Sequence, residues 1–316
     1  MNRIYLGDCL EVSKDIESGS VDLVLTDLPF GTVYGIGDVN HGMSNKTLWD
    51  VKLPTKQVFE VINRILRKNG KMVLFAQEPF TNELRNNAIP NLPFSYRMIW
   101  EKDHFANCLL AKKACVNYYE DILVFSKKHD FEGLHPLREY SIKLRKFANY
   151  SRSKFTKRLG HGGHQHFMEG NKESSQFSLC TRKTYNELIA VFEINKMQGF
   201  KPYSELKAID NNFKKQFAST FNLWQGKKYK SNIFKYKKDY NGFHPTQKPI
   251  LLLEDLIKTF SNENDLVVDL TCGSGSTCVA AKNTNRRFIG IEKEKKYYDI
   301  SVKRLKECQV KSQLFR

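Results

Sequence analysis

The sequence predicts an α/β fold with a doubly wound, mostly parallel sheet. Short apolar runs rich in β-branched residues alternate along the chain with longer segments whose apolar residues recur at helical spacing. Several of these runs end abruptly in Asp, Glu or Gly, which is typical of buried parallel strands that reach the ligand-binding edge of a sheet. The repeated order of strand, helix and strand favours a parallel sheet with helices on both faces.

The run Val21–Phe30 (VDLVLTDLPF) is the stretch around which the rest of the chain is organised. Its apolar first half is short and aliphatic, which indicates a buried strand rather than a helix. Pro29 cannot continue a strand ladder, and it restricts Leu28 to extended backbone. The strand therefore ends by presenting the Asp27 carboxylate, a backbone carbonyl and the Phe30 ring together. This combination suits a flat heterocycle that carries an exocyclic amine.

The other elements of residues 1–125 follow the same alternation. The predicted strands are Arg3–Leu6, Met72–Phe75, Phe94–Trp100 and Ile122–Phe125, and the predicted helices are a turn at Glu11–Glu17, Thr55–Arg67 and Thr81–Asn87. We expect Asn69-Gly70 to stop the second of these helices. Residues 31–45, which are rich in Gly and Asn, are interpreted as a lid over the site, with a disordered connector as the alternative.

Residues 242–316 are predicted to form a nucleoside-binding half of the sheet. The elements in order are the helix Ile250–Phe260, the strand Leu266–Leu270, a helix through Lys282, the strand Phe288–Ile291 and the helix Tyr297–Lys311. Between the first strand and the next helix, Gly273 and Gly275 let the backbone turn tightly and approach a ligand. Glu292 follows the second strand about 20 residues later, where a carboxylate holds ribose hydroxyls in nucleoside-binding folds.

The glycine turn also narrows the class of nucleoside. GSGS is not the full G-x-G-x-x-G motif and no phosphate-binding lysine follows it, so a ligand with a ribose but no pyrophosphate fits better. S-adenosylmethionine (AdoMet) is such a ligand, and Asp269 would face its amino group; a turn without a ligand is the alternative. Asp8 would accept from the adenine amine of AdoMet if the first strand lies beside the strand ending at Glu292. A helix N-cap is the alternative role for Asp8.

Residues 126–241 differ from the rest of the chain in composition. They hold 24 lysine and arginine residues against 10 acidic ones. Basic groups neutralise phosphates, and interleaved rings stack on bases or wedge into a duplex. We interpret the segment as an insert that contacts nucleic acid; the alternative is a small α-rich domain whose aromatic residues form its core. The aromatic residues in question include Phe147, Tyr150, Phe155, Phe167, Tyr185, Phe213, Phe217, Phe221, Trp224, Tyr229, Phe234 and Tyr236.

The composition of the whole chain indicates the class of binding partner and the cellular location. The 316 residues carry a formal net charge of +17, which favours a polyanionic partner, nucleic acid before an anionic membrane surface. We expect a cytoplasmic protein, because the start MNRIYLGDCL has no signal-peptide pattern and no run is long enough to span a bilayer. The seven scattered cysteines indicate reduced thiols. No metal is expected, since no nearby Cys or acid completes the cluster of His161, His164 and His166.

These motifs, in this order, resemble those of the β-type amino-group DNA methyltransferases. DLPF at Asp27–Phe30 resembles the family's catalytic (D/N/S)PP(Y/F) motif, and DLTCGSGS at Asp269–Ser276 resembles its AdoMet motif. HPTQKP at His244–Pro249 resembles the motif that precedes it, and IYLGD at Ile4–Asp8 resembles the permuted amino-terminal piece. The resemblance covers both ends of the chain and not the insert. The sequence departs from the family motif at Leu28, where the family has its first proline. Without that proline the backbone of the loop is less restricted.

The resemblance implies a circularly permuted, Rossmann-like AdoMet-dependent methyltransferase domain interrupted by a target recognition domain. Residues 1–125 would be the catalytic half, 126–241 the recognition insert and 242–316 the AdoMet-binding half. Lys248 is assigned to the cofactor, with support of the catalytic loop or of the following helix as alternatives. The implied catalytic residues are Asp27, Leu28, Pro29 and Phe30, and the implied cofactor-binding residues are Asp8, Lys248, Asp269, Thr271, Cys272, Gly273, Ser274, Gly275 and Glu292.

The implied activity is site-specific transfer of a methyl group from AdoMet to the exocyclic N6 amine of a flipped adenine in double-stranded DNA, as in restriction-modification systems. Asp27 resembles adenine-N6 members more than cytosine-N4 members, which usually carry Ser there. A cytosine-N4 enzyme, an RNA or protein methyltransferase and an inactive DNA-binding relative are the alternatives. A homodimer and a cognate restriction enzyme are left open, and the sequence does not give the DNA recognition site.

Overall fold

The computed structural model describes most of the chain. It covers residues 2–31, 50–106, 111–128, 135–169, 177–217, 220–224, 226, 228–239, 243 and 247–314. The predicted lid beyond Gly31 and the first three residues of the HPTQKP motif lie outside the described residues. The chain divides into two compact units, one formed by residues 1–128 with 219–316 and the other by residues 129–218.

The first unit confirms the predicted α/β, mostly parallel architecture. Its strands in the described part of the chain are β1 (Asn2–Leu6), β2 (Val21–Thr26), β3 (Leu66–Ala76), β4 (Phe94–Ala106), β5 (Asn117–Ser126), β6 (Ile233–Lys235), β7 (Leu266–Asp269) and β8 (Arg287–Glu292). They form one sheet in the order β1-β8-β7-β2-β3-β5-β4-β6. Neighbouring strands run parallel, except that β5 is antiparallel to both β3 and β4. The amino-terminal strand thus pairs with the last strand of the chain, as a permuted fold requires.

The helices of the first unit lie largely where the apolar spacing predicts them, whereas the helices between residues 137 and 217 were not predicted individually. In chain order the helices are α1 (Cys9–Val12), α2 (Thr55–Ile65), α3 (Phe80–Asn86), α4 (Leu137–Phe147), α5 (Arg152–Leu159), α6 (Gln165–Met168), α7 (Arg182–Phe192), α8 (Tyr203–Phe217), α9 (Ile250–Phe260), α10 (Ser276–Asn283) and α11 (Lys295–Leu314). The helix α9 has the predicted bounds, whereas the predicted turn at Glu11–Glu17 is divided between α1 and a 3-10 turn at Ser13–Asp15. Across the part of the chain that the structure describes, no helix is long and apolar enough to cross a membrane.

The end of α2 differs from the prediction. The helix ends at Ile65, and Leu66 already has extended backbone (φ −63°, ψ 136°) because it pairs with Val21 at the start of β3. The Asn69-Gly70 pair therefore does not stop the helix but lies inside β3, where the register against β2 shifts. Asn69 has a φ of 61° there, so the residue types that favour a left-handed turn instead form an irregularity in the strand.

Alternating side chains of the central strands form two hydrophobic cores, one on each face of the sheet. Val24 of β2 belongs to the core that contains the buried face of α2, whereas Leu23 and Leu25 belong to the core that contains α9 and α10. Strand β3 divides in the same way, with Leu74 in the first core and Phe75 in the second. Successive side chains of a strand point to opposite faces, so this division gives the doubly wound arrangement its two covered layers.

Residues 220–239, which the sequence predicts to belong to the insert, pack on the first unit instead. Strand β6 pairs in parallel with β4 at the edge of the sheet. The buried Asp255 carboxylate of α9 accepts from Trp224 Nε1 at 3.1 Å and from Tyr236 Oη at 2.7 Å, and it forms an ion pair with Lys230. The second unit is therefore shorter than the predicted insert, because these three side chains tie the end of that segment to α9.

Replacing Asp255 with alanine is expected to lower the free energy of unfolding by about 3–5 kcal/mol, because it leaves a mostly buried ammonium without its carboxylate. The Lys230 side chain is 13% exposed. The measurement is urea denaturation of the variant and the parent protein. Asp299→Ala is the control, since it breaks an exposed pair with Lys295 on α11 and is expected to change the same quantity by under about 1 kcal/mol. Equal effects of the two substitutions would contradict the anchoring role of Asp255.

The second unit has an aromatic core of its own. Phe155, Phe167 and Tyr185 are fully buried, and Phe155 stacks on Phe192 with ring centroids 3.7 Å apart. Phe147 remains exposed. Several aromatic residues of the predicted insert are thus core residues of a small helical unit, which is the alternative that the sequence left open for them. The recognition of DNA by this unit stays a prediction.

Candidate active site

The acidic residues that follow four strands meet at one edge of the first unit. Asp8 after β1, Asp27 after β2, Asp269 at the end of β7 and Glu292 at the end of β8 line a single cavity of about 470 Å³. These strands run parallel, so their carboxyl ends share an edge, where ligands bind in open α/β sheets. Every predicted site residue except Gly275 lines this cavity: Asp8, Asp27, Leu28, Pro29, Phe30, Lys248, Asp269, Thr271, Cys272, Gly273, Ser274 and Glu292.

Gly275 has a packing role that differs from the predicted one. It precedes α10 with a φ of 80°, and a Cβ added to it would lie 2.8 Å from the Cβ of Ser301 on α11. The close approach that excludes a side chain is therefore to a neighbouring helix and not to a ligand. Gly273, with a φ of 53°, is the glycine of the turn that lines the cavity.

One carboxylate oxygen of Asp27, a residue that lines the cavity, has no hydrogen-bond partner among the described residues. This oxygen is the buried Oδ1, whereas Lys248 forms an ion pair with Oδ2 of Asp27. Its backbone carbonyl accepts from Thr271 Oγ1 at 2.9 Å, which ties the end of β2 to the turn after β7. Burial raises the pKa of Asp27 to about 6, although the positive charge of Lys248 opposes the rise. Oδ1 thus leaves Asp27 with one acceptor that no described residue occupies.

Lys248 contacts the predicted catalytic carboxylate, and its assignment to the cofactor stays a prediction. Its side chain is 8% exposed, and Nζ lies 3.2 Å from Glu120 Oε2 in addition to its pair with Asp27. Burial alone would lower the pKa of Lys248, but these two carboxylates outweigh burial and raise it. The ammonium is therefore a permanent charge between two acids, and this contact corresponds to the alternative of support for the catalytic loop.

Glu120 and Lys102 are site residues that the sequence analysis missed. Both line the cavity, and Lys102 Nζ donates to Glu120 Oε1 at 2.9 Å. Glu120 lies near the amino-terminal end of β5, and it reaches the ligand edge only because β5 runs antiparallel to β3. Acids that follow a strand can be recognised from the sequence, whereas the direction of a strand leaves no local signal. The sequence YYEDILVF, which has two acids directly before an apolar run, is the signal that was available.

The Leu28 departure from the family motif is compensated by packing. The side chain of Leu28 is 2% exposed and belongs to the core under α2. Packing thus restrains Leu28, a position that a proline would restrain through its ring. This restraint offsets part of the freedom that the loop was expected to gain from the missing proline. Phe30 is half-buried, and its ring centroid lies 5.2 Å from that of Phe80 on α3 at an interplanar angle of 39°. Pro29 and Phe30 together form one wall of the cavity.

The glycine turn after β7 and Glu292 at the end of β8 line the cavity one and two strands away from Asp27. The Glu292 carboxylate accepts from the backbone N–H groups of Gly273 and Glu294, both at 2.8 Å, and thereby holds the turn. Burial raises the pKa of Glu292, and the two N–H groups oppose that rise. Arg304 of α11 donates to the backbone carbonyl of Ser274 at 2.6 Å. Cys272 also lines the cavity, and no local sequence pattern marks Arg304 as a residue that supports the turn.

The structure shows the helix N-cap role of Asp8, and the cofactor role of Asp8 stays a prediction. Strand β1 pairs with β8 so that Leu6 lies opposite Glu292, which is the condition that the sequence analysis set for a cofactor role. Asp8 Oδ1 also caps α1 by accepting from the Leu10 N–H at 3.0 Å, and Oδ2 lies 3.3 Å from Lys293 Nζ. The capping bond occupies one oxygen, so only Oδ2 and the neighbouring backbone remain to contact a ligand.

Three residues that line the cavity have buried polar atoms without a hydrogen-bond partner in the described part of the chain. The atoms are Asp27 Oδ1, Glu120 Oε2 and Gln247 Nε2, of which Glu120 Oε2 lies 3.2 Å from Lys248 Nζ. Unpaired buried polar atoms cost free energy, so these atoms favour a polar occupant of the cavity. No group of three or more His, Cys, Asp and Glu suited to a metal ion occurs among the described residues. The absence of a metal from the reaction stays a prediction.

Comparison with known sequences points to one family. The N6/N4 methyltransferase family model, described as DNA methylase, matches residues 21–303. The Type II methyltransferase M2.LlaDCHI of Lactococcus lactis is 43% identical over 83 residues, which are 26% of this chain and 29% of that protein. The DNA adenine methyltransferase YhdJ of Escherichia coli is 26% identical over 96% of this chain and 82% of that protein. The match to M2.LlaDCHI is thus confined to less than a third of that protein. The match to YhdJ has lower identity but extends over most of both chains.

Solved structures show the same architecture. The M1.HpyAVI–SAM complex matches with a TM-score of 0.53 at 21% identity, over 96% of this chain and 99% of that one. The PvuII DNA methyltransferase, described as cytosine-N4-specific, matches with a TM-score of 0.50 at 14% identity, over 95% of this chain and 84% of that one. At these identities the similarity shows the fold alone, and it includes a protein whose stated target is cytosine.

Proposed function

The chain belongs to the N6/N4 family of DNA methylases, and from this premise we propose that it transfers a methyl group from AdoMet to the exocyclic N6 amine of adenine in double-stranded DNA. The observation that carries the proposal is the buried Oδ1 of Asp27, which has no hydrogen-bond partner among the described residues and belongs to a residue lining the cavity at the carboxyl edge of the sheet. Asp at this position resembles the adenine-N6 members of the family. Cytosine-N4 methylation would use the same geometry, so it remains the alternative substrate.

The cavity fits AdoMet in size and in donor set. Its volume of about 470 Å³ lies in the range of small-molecule sites. The Gly273 turn, held by Glu292, offers backbone groups and a carboxylate to a ribose, and Asp269 offers a carboxylate near the middle of the cavity wall. When bound there, AdoMet supplies an electrophilic methyl group on a sulfonium. The protein's own residues then have to bring a base amine to that group and exclude water.

Asp27 and its neighbours orient the amine. An exocyclic amine has two N–H groups, and Oδ1 of Asp27 provides an acceptor for one of them. The carbonyl of Asp27 is already bound by Thr271, so the carbonyl of Leu28 or Pro29 is the acceptor for the other. Two such bonds draw the nitrogen lone pair out of conjugation and aim it across the cavity. Most of the rate enhancement would come from this orientation and from stabilising an amine that becomes cationic.

Base flipping brings the target amine to this site, since a paired base does not expose it for attack. The Phe30 ring would stack on the flipped base from one wall of the cavity. The net charge of +17 supplies attraction for the phosphate backbone. A cytoplasmic location and a role in restriction-modification accompany this proposal. A homodimer and a partner restriction enzyme are left open.

Nucleoside mass spectrometry tests the proposed function directly. Unmethylated DNA is incubated with the purified protein and AdoMet, digested and analysed. N6-methyladenine is the expected product. N4-methylcytosine would keep the orientation mechanism and overturn the assignment of the base. No modified nucleoside from a protein that binds AdoMet by calorimetry would overturn the DNA assignment and direct the search to RNA and protein substrates.

Replacing Phe30 with alanine is expected to lower kcat/KM for DNA by about 5- to 150-fold, because base stacking on an aromatic ring contributes about 1–3 kcal/mol. The measurement is the methylation rate at a fixed, saturating AdoMet concentration. Phe30→Tyr is the matched control, since it retains the ring and corresponds to the other residue of the family motif, and it should keep most of the activity. A Phe30→Tyr variant as impaired as Phe30→Ala would contradict the stacking role.

A further inference from the structure

We propose that Glu120 is a positioning residue of the active site, which acts on Asp27 through Lys248 so that one carboxylate oxygen of Asp27 stays free for the base amine. The inference rests on the proposed role of Asp27 in binding an exocyclic amine, and it holds for adenine and for cytosine alike. Glu120 itself makes no bond to the amine in this scheme. Its effect is transmitted through the two ion pairs of Lys248, which extend a chain that begins with a third pair between Lys102 and Glu120.

The chain of ion pairs has alternating charges and little contact with solvent. Lys102 pairs with Glu120 Oε1 at 2.9 Å, Glu120 Oε2 lies 3.2 Å from Lys248 Nζ, and Lys248 pairs with Asp27 Oδ2. The side chains of Lys102, Glu120 and Lys248 are 3%, 13% and 8% exposed. Charges removed from water this far are stable only when they are paired, so each partner fixes the position of the next. The backbone fixes Glu120 in turn, because its register places it opposite Trp100 of β4.

The division of Lys248 between two acids explains why Asp27 keeps a free oxygen. An ammonium with a single acid partner is free to lie between both of its oxygens. Glu120 attracts Lys248 from the other side, and in the structure Nζ contacts Oδ2 of Asp27 and leaves Oδ1 without a partner among the described residues. Without the charge of Glu120, Lys248 would compete with the base amine for Oδ1. The amine would then lose its acceptor and its orientation.

The same contacts predict how the titration of Asp27 responds to substitution. The charged groups that act on it are Lys248 before α9, Glu120 on β5 and Asp269 on β7. The pKa of Asp27 is raised to about 6 by burial, which Lys248 opposes and to which Glu120 and Asp269 add. Removing the charge of Glu120 is therefore expected to move the pKa of Asp27 down. Removing the charge of Lys248 is expected to move it up.

The test compares Glu120→Gln with the parent protein in two measurements. The first is the single-turnover methylation rate with saturating AdoMet and DNA, from about pH 5 to about pH 9, where ionised Asp27 gives the acid limb. We expect a rate about 10- to 100-fold lower at neutral pH, an acid limb displaced to lower pH and an unchanged affinity for AdoMet. The second is a carboxyl ¹³C NMR titration of Asp27, assigned with Asp27→Asn, in which the midpoint should fall in the same direction. Lys248→Met should move that midpoint upward.

Glu101→Gln is the matched control. It makes the same chemical change on the neighbouring strand β4, in an exposed ion pair with Lys235 at 3.0 Å. We expect no displacement of the acid limb or of the Asp27 midpoint. An unchanged Asp27 midpoint in folded Glu120→Gln would overturn the inference, and so would a loss confined to AdoMet affinity. If the parent protein methylates no DNA, the proposed function fails instead, and the NMR midpoints still decide the role of Glu120.

Discussion

Replacing Asp27 with alanine is expected to lower the methylation rate by about 1,000-fold while the affinity for AdoMet changes little. Asp27 supplies the free carboxylate oxygen in the part of the cavity formed by the end of β2. The glycine turn and Glu292, which would hold the cofactor, keep their own hydrogen bonds when this side chain is removed. Lys248 keeps Glu120 as a partner, so the substitution leaves no ammonium wholly unpaired. Single-turnover kinetics measure the rate, and calorimetry measures the binding.

Two further variants sharpen this prediction. Asp27→Asn keeps an acceptor oxygen without the charge, so its rate should lie between those of the parent protein and Asp27→Ala. Asp22→Ala is the control on the same strand: Asp22 pairs with Arg67 at the other end of β2, where no cavity residue lies. That variant should lose stability but retain the methylation rate per folded molecule. Loss of AdoMet binding by a well-folded Asp27→Ala protein would refute the assigned role.

The sheet could be predicted because its strands have a strong local signal. A buried parallel strand needs a short aliphatic run, and VDLVL, LVV and FIGI are such runs, each with an acid close behind it. Since parallel strands share one carboxyl edge, the acids after β2, β7 and β8 had to converge, and the cavity lies where they meet. The motif order then related the amino-terminal strand to the last one. In this region local pattern and tertiary arrangement agree.

The features that escaped prediction depend on contacts between distant segments. The direction of β5 is set by its pairing with β3 and β4, and it alone brings Glu120 to the cavity. Strand β6 has only three residues, which is too short for a clear sequence signal. Its place in the sheet depends on contacts that neighbouring residues make with Asp255, such as the hydrogen bond from Tyr236. Lys248 was assigned to the cofactor, since a sequence shows a basic residue near a motif without showing which acid lies across from it. Strand direction and charge pairing are tertiary information.

Replacing Glu292 with alanine is the prediction with the largest expected effect on the cofactor. Its carboxylate accepts from two backbone N–H groups, those of Gly273 and Glu294, and a hydrogen bond to a charged group contributes about 1.5–3 kcal/mol. Removing it frees the glycine turn and takes away the acid placed to hold ribose hydroxyls. We expect the dissociation constant for AdoMet to rise by about 100-fold, which corresponds to about 3 kcal/mol. Calorimetry with AdoMet measures it.

The methylation rate distinguishes this effect from that of Asp27. At AdoMet concentrations high enough to saturate the Glu292→Ala variant, the rate should recover to near that of the parent protein, because the amine-binding end of the cavity is unchanged. Glu294→Ala is the control: its side chain is exposed beside the same cavity, and the substitution keeps the backbone N–H that Glu292 binds. Equal losses of affinity in both variants would indicate a general effect of negative charge. A rate that stays low at saturating AdoMet would instead place Glu292 in the chemical step, and the division of the cavity into a cofactor end and an amine end would then be wrong.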